Sequence, residues 1–92
     1  GHTMIECRVD IINRLGLHAR AAAKLVDCAA KFSCRIQIKK DQQVIDAKSI
    51  MSVMMLAAGK GTALTLMIDG ENENAACNAL TALIADRFGE PD

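Results

Sequence analysis

The order of apolar and polar residues along the chain predicts four strands and three helices. Met4 to Ile12 (MIECRVDII) alternates, with Ile5, Cys7, Val9 and Ile11 on one side and Glu6, Arg8 and Asp10 on the other. That is the pattern of a strand with one wet face. Asn13-Arg14-Leu15-Gly16 breaks it. Beyond the break, Ala22, Leu25, Val26 and Ala29 recur at helical spacing among Arg20, Lys24, Asp27 and Lys31, which predicts a helix from Ala19 to Lys31. Ser33 to Lys39 alternates again, Lys40-Asp41-Gln42 reads as a turn, and Gln43 to Ala47 returns as a short partner strand. A compact helix is expected from Ser49 to Ala58, ended by Gly59 and Gly61 around Lys60. Thr62 to Asp69 (TALTLMID) is another strand, with Leu64, Leu66 and Ile68 on one face. Gly70 turns the chain, and Asn72 or Glu73 opens the last helix. There Cys77, Leu80, Ile84 and Phe88 form an apolar stripe, widened by Ala76 and Leu83, that Gly89 and Pro91 stop.

The order is therefore β-α-β-β-α-β-α. Strands wet on one face, and helices that must each cover a stripe, predict an α+β fold: a four-stranded antiparallel sheet with three helices on one face. Ninety-two residues suit a single domain, placed over residues 4–90. Gly1-His2-Thr3 ahead of Met4 reads as a cloning scar, so His2 is given no role. Within the short middle helix, Met51, Val53 and Met55 are expected in the core. Ile50 and Met54, at i and i+4, are expected at the surface as a flexible apolar patch.

Composition narrows the function. Phe32 and Phe88 are the only aromatic residues, which leaves nothing to stack single-stranded nucleic acid. Eleven basic and eleven acidic residues cancel, so the basic surplus of a nucleic-acid binder is missing. Lys39-Lys40, the longest basic stretch, is too short to hold a membrane surface. No run approaches the roughly 18 apolar residues of a span, and the N-terminus lacks the layout of a secretory signal. A soluble, cytoplasmic chain is expected. Cys7, Cys28, Cys34 and Cys77 form no C-x-x-C pair and have no histidine at a ligand spacing, so no metal or redox motif is written here. All four read as core thiols in a reducing cytoplasm.

The chemistry concentrates in Gly16-Leu17-His18-Ala19-Arg20. The glycine permits a sharp turn, and His18 falls at the N-cap or first position of the first helix. Amides there have no internal acceptor, and the macrodipole adds partial positive charge, a geometry suited to phosphate. Arg20 adds a guanidinium that bonds phosphate oxygens in pairs. A neutral imidazole is nucleophilic, and the N–P bond it forms is labile enough to pass the group on. From these residues alone two readings stand: a phosphoryl acceptor, or a histidine that caps a helix beside a solvated arginine.

With these blocks in hand, the chain from Met4 to Glu90 resembles HPr, the histidine phosphocarrier family of the bacterial phosphotransferase system. GLHARAAAKL carries the phosphohistidine motif, KSIMSVMMLAAGKG carries the segment around the family's regulatory serine, and ENENAACNALTALIADRFGE resembles its C-terminal helix. The resemblance implies an open-faced β-sandwich and a phosphoryl group on Nδ1 of His18, held by Arg20 and the amides of Ala19 and Arg20. It implies enzyme I, charged from phosphoenolpyruvate, as donor and an EIIA-type domain as acceptor, with the protein a monomer that needs no cofactor and is a carrier, not a stand-alone enzyme. Ala21 departs from the family, where proline commonly follows H-A-R. Alanine also suits a helix start, so the turn is expected to survive, and the departure bears on which branch is served, sugar uptake or regulation.

The resemblance assigns Ser49 as a regulatory phosphorylation site for a serine kinase and phosphatase, although a serine before Ile50-Met51 is also a good N-cap. Lys24, Ile50 and Met54 are the expected partner-docking residues. Two other classes compete. A regulatory module of the same fold would work through Ser49, and His18 with Arg20 argues against it. A metal-carrier domain would want C-x-x-C in the first loop, where Gly16-Leu17-His18 stands instead.

Overall fold

Alternation puts Ile36, Ile38, Leu64, Leu66 and Ile68 on one side of a sheet, where all five are buried. A computed structural model describes residues 4–92; the first three residues, and with them the reading of a cloning scar, lie outside the described residues. The strands are β1 (Ile5–Asp10), β2 (Arg35–Lys40), β3 (Gln43–Asp46) and β4 (Ala63–Asp69). They join in the order β1-β4-β2-β3, every pairing antiparallel. The helices are α1 (Ala19–Ala30), α2 (Ile50–Met55) and α3 (Glu73–Ala85). α3 packs on β1 and β4, α1 packs on α2 and α3, and the wet face keeps Glu6, Arg8, Arg35 and Lys39 exposed. The expected order and layering are what the chain adopts.

The core is aliphatic and closed by one ring. Ile11, Leu25, Val53, Leu56, Leu80 and Ile84 meet above the sheet, and Phe88 fills the space beside them. Each fully buried aliphatic side chain contributes roughly 1.5–3 kcal/mol.

Several elements differ from expectation. α2 ends at Met55 because Ala57 turns into the left-handed region, φ 52°, ahead of both glycines. α3 ends at Ala85: Arg87 and Phe88 take positive φ, and the chain folds inward through a tight turn, Arg87–Gly89. Phe88 thus reaches the core from a turn and not from a helical stripe. Met51 and Met55, expected inside, are exposed (68% and 71%). A helix of six residues turns only Val53 inward, with Leu56 just beyond, so Met51 and Met55 join Ile50 and Met54 outside.

The cysteines divide. Cys28 and Cys34 are free thiols, and burial pushes the Cys28 thiol above its ordinary range with Lys31 opposing. Cys7 and Cys77 are joined in a disulfide, contrary to the reading of four thiols. The strand and the helix that carry them are packed together, and the two Cα atoms lie 6.5 Å apart although 70 residues separate them in sequence. Among the described residues no helix is long and apolar enough to cross a membrane, and no group of three His, Cys, Asp or Glu side chains could hold a metal ion.

Candidate functional site

The loop from Asn13 to His18 is held by backbone and by one buried side chain. Gly16 takes φ +67°, and a Cβ there would fall 2.6 Å from the Ala58 carbonyl oxygen. Its neighbour Leu17 donates its N–H to that same carbonyl at 2.8 Å, pinning the loop to the segment after α2. Glycine is needed here both for its dihedral and for the close approach. Asn13 is fully buried; its Nδ2 donates to the Gly16 carbonyl at 2.8 Å, while its Oδ1 has no partner among the described residues.

His18 is the N-cap residue of α1 with extended backbone, φ −70° and ψ 175°. Its carbonyl accepts the first helical bond, from Ala22 N–H at 2.8 Å. The side chain makes no capping bond, so the ring is not spent on the helix end. The amides of Ala19, Arg20 and Ala21 precede that first helical bond and face the helix entrance. Arg20 is exposed, and its guanidinium has no partner among the described residues.

The chain's C-terminal segment completes the site. Arg14, Leu15, His18, Arg20, Glu90, Pro91 and Asp92 line one cleft. His18 Nε2 bonds to Glu90 Oε2, and Asn13 Nδ2 donates to Glu90 Oε1 at 2.9 Å. These bonds from Asn13 and then from His18 hold the Glu90 carboxyl below its ordinary range, with the charge of Lys24 adding to the effect. Glu90 is therefore ionised at neutral pH and can only accept. Nε2 carries the proton in the neutral ring, which leaves the lone pair on Nδ1. Such a site, with a nucleophilic nitrogen at a helix entrance and a cation beside it, can take and release an anionic group.

The expected residues are distributed around this cleft. His18 and Arg20 line it directly. Lys24 turns toward the C-terminal segment, its ammonium donating to the Phe88 carbonyl at 2.6 Å. Ile50 and Met54 are exposed on α2, with Leu15 also exposed in the loop. Ser49 is the N-cap of α2, its Oγ accepting from Ser52 N–H at 3.3 Å, so its capping role is realised. Glu90 and Asn13 were not legible as site residues: Glu90 stands 72 positions from His18, and nothing local to either residue signals the meeting.

Comparison with known proteins finds relatives over nearly the whole chain. A family model described as "PTS HPr component phosphorylation site" matches residues 5–86. The phosphocarrier protein HPr of Cupriavidus necator is 53% identical over 87 residues, covering 95% of this chain and 98% of that protein. A crystal structure of HPr-C-His from Thermoanaerobacter tengcongensis superposes with a TM-score of 0.93 at 43% identity, covering 97% of this chain and all of that one. A crystal structure of an HPr dimer from the same organism superposes with a TM-score of 0.76 at 44% identity, covering 89% and 94%.

Proposed function

Because the chain belongs to the HPr family of phosphotransferase-system components, we propose that it carries a phosphoryl group on Nδ1 of His18. The observation that carries this reading is the His18 ring itself. It sits at the entrance of α1 without capping it, with its Nε2 committed to a carboxylate. Among the described residues no hydrogen bond engages the remaining lone pair, and the amides of Ala19 and Arg20 with the Arg20 guanidinium supply charge for the transferring oxygens. Positioning and electrostatics are most of what a protein must supply in such a transfer.

In this reading the donor is enzyme I charged from phosphoenolpyruvate and the acceptor is an EIIA-type domain, in the cytoplasm. The exposed apolar side chains Leu15, Ile50 and Met54 give such partners a contact surface next to the loop that Ala58 holds. Ser49, a part-exposed N-cap, is a regulatory site where a serine kinase is present; its phosphate would add nearly two negative charges at the start of α2, which packs against α1. The test is incubation with enzyme I and phosphoenolpyruvate. One acid-labile phosphoryl group is expected on the wild type and none on His18→Ala, and a wild type that takes up none overturns the reading.

A further inference from the structure

The geometry points to Glu90 as a positioning residue that keeps the proton on Nε2 of His18 throughout the transfer cycle, so that phosphoryl enters and leaves at Nδ1 with no proton transfer. This inference rests on His18 being the acceptor. Glu90 holds the ring through one carboxylate oxygen, and its other oxygen accepts from buried Asn13, whose amide is anchored on Gly16 of the same loop. The backbone behind it is fixed too. Glu90 N–H donates to the Arg87 carbonyl at 2.9 Å, and Lys24 clamps the Phe88 carbonyl above a buried ring. The side chains of His18 and Glu90 are only 30% and 15% exposed, so water competes weakly for the bond.

The chemistry then closes without an added acid or base. On arrival, the Nδ1 lone pair bonds to phosphorus, and the bond from phosphorus to the donor breaks with its electrons returning to the donor. The ring now carries a positive charge with its proton on Nε2, next to the Glu90 carboxylate. On departure, the P–Nδ1 bond breaks, the electron pair returns to Nδ1, and the ring leaves neutral with the same proton in place. If Nε2 lost that proton in between, the leaving group would be an imidazolate, and transfer would slow sharply. Among the described residues, Arg14 in the loop and Arg20 on α1 line the cleft with this pair, and the charge of Lys24 on α1 acts on Glu90; a positively charged ring among these cations needs a carboxylate beside it. Asp92, in the cleft, is 3.7 Å from Arg14 in an exposed ion pair. Glu90 is the carboxylate in contact with the ring, and it opposes them.

The experiment compares the full-length wild type with Glu90→Gln and Glu90→Ala, each first charged by enzyme I and phosphoenolpyruvate. The rate of phosphoryl return to unphosphorylated enzyme I is followed across pH, together with the Nε2–H signal of His18 in the phosphoprotein by nitrogen-15 NMR. The gap between the wild type and the two variants is expected to be smallest near pH 6 and to widen as pH rises. The variants then lose rate, and their Nε2–H signal, about one pH unit earlier, and return phosphoryl roughly 5- to 10-fold more slowly at the alkaline end. Superimposable profiles, or a loss of rate equal at all pH values, would overturn the inference while leaving the carrier reading intact. A wild type that accepts no phosphoryl would overturn both.

Discussion

Leu17 donates its backbone N–H to the Ala58 carbonyl at 2.8 Å, and the Cβ that Gly16 lacks would lie 2.6 Å from that same oxygen. The residue before His18 is thus fastened to the segment leaving α2, and the turn that fastens it admits only glycine. Gly16→Ala is expected to cost on the order of 2–4 kcal/mol, from the left-handed dihedral and the backbone clash together. Denaturant melts should show the loss. Phosphorylation of the folded fraction should fall with it, because the loop cannot keep both the Leu17 bond and the placement of His18.

Arg20 is exposed and holds no partner among the described residues, so it contributes little to folding. Arg20→Ala should leave stability within about 0.5 kcal/mol and slow phosphoryl uptake by roughly 100-fold, the low end of the range for losing one charge-stabilising donor. A rapid-quench time course separates the two effects. Uptake at the wild-type rate would remove Arg20 from the site.

Ser49 has two roles that two substitutions pull apart. Ser49→Ala removes the bond to Ser52 N–H and should cost about 1 kcal/mol. Ser49→Asp keeps an N-cap acceptor and near-native stability, yet adds a charge at the start of α2. It should slow phosphorylation of His18 by enzyme I. An Asp variant phosphorylated as fast as wild type would remove the regulatory role and leave the capping one.

The Cys7–Cys77 disulfide closes a loop of 70 residues between β1 and α3. Constraining the unfolded chain over such a loop is worth about 2–4 kcal/mol. Reduction, or Cys77→Ser, should lower the unfolding free energy by that amount, read as a lower denaturant midpoint, without changing the circular dichroism of the native state. Intact mass before and after reductant, with a gain of two hydrogens, checks the bond directly.

The Glu90 pairing also has a pH signature in stability. Its carboxyl lies below the ordinary range in the folded state, through Asn13 first and His18 second. Its contribution is therefore fully present above the unfolded Glu value of about 4.3. It is lost as pH falls through the lower folded value. The melting difference between wild type and Glu90→Gln should favour wild type at neutral pH and vanish in strong acid; a difference that persists there would contradict the assignment.

These sites differ in how visible they were beforehand. Ile36, Ile38, Leu64, Leu66 and Ile68 alternate with polar residues, and period two decides a strand's buried face wherever one side of a sheet is wet. His18 was visible because a glycine turn and an Ala-rich helix start are both local signals. Phe88 was visible as core but not as a turn, since a stripe reads alike whichever way the residue reaches it. Met51 and Met55 lie outside, not in the core, because two apolar pairs at i, i+4 are equivalent in sequence until α2 is seated on α1 and β3. Glu90 on His18 and Cys7 on Cys77 depend on chain ends meeting across 72 and 70 residues, and no local pattern encodes that.

The central claim is tested most directly by charging the protein with enzyme I and phosphoenolpyruvate and recording phosphorus-31 and nitrogen-15 spectra of the product. The account predicts a single phosphoramidate on Nδ1 of His18, lost in acid and absent from His18→Ala. A phosphoryl group on Nε2, on another residue, or on no residue at all would contradict it.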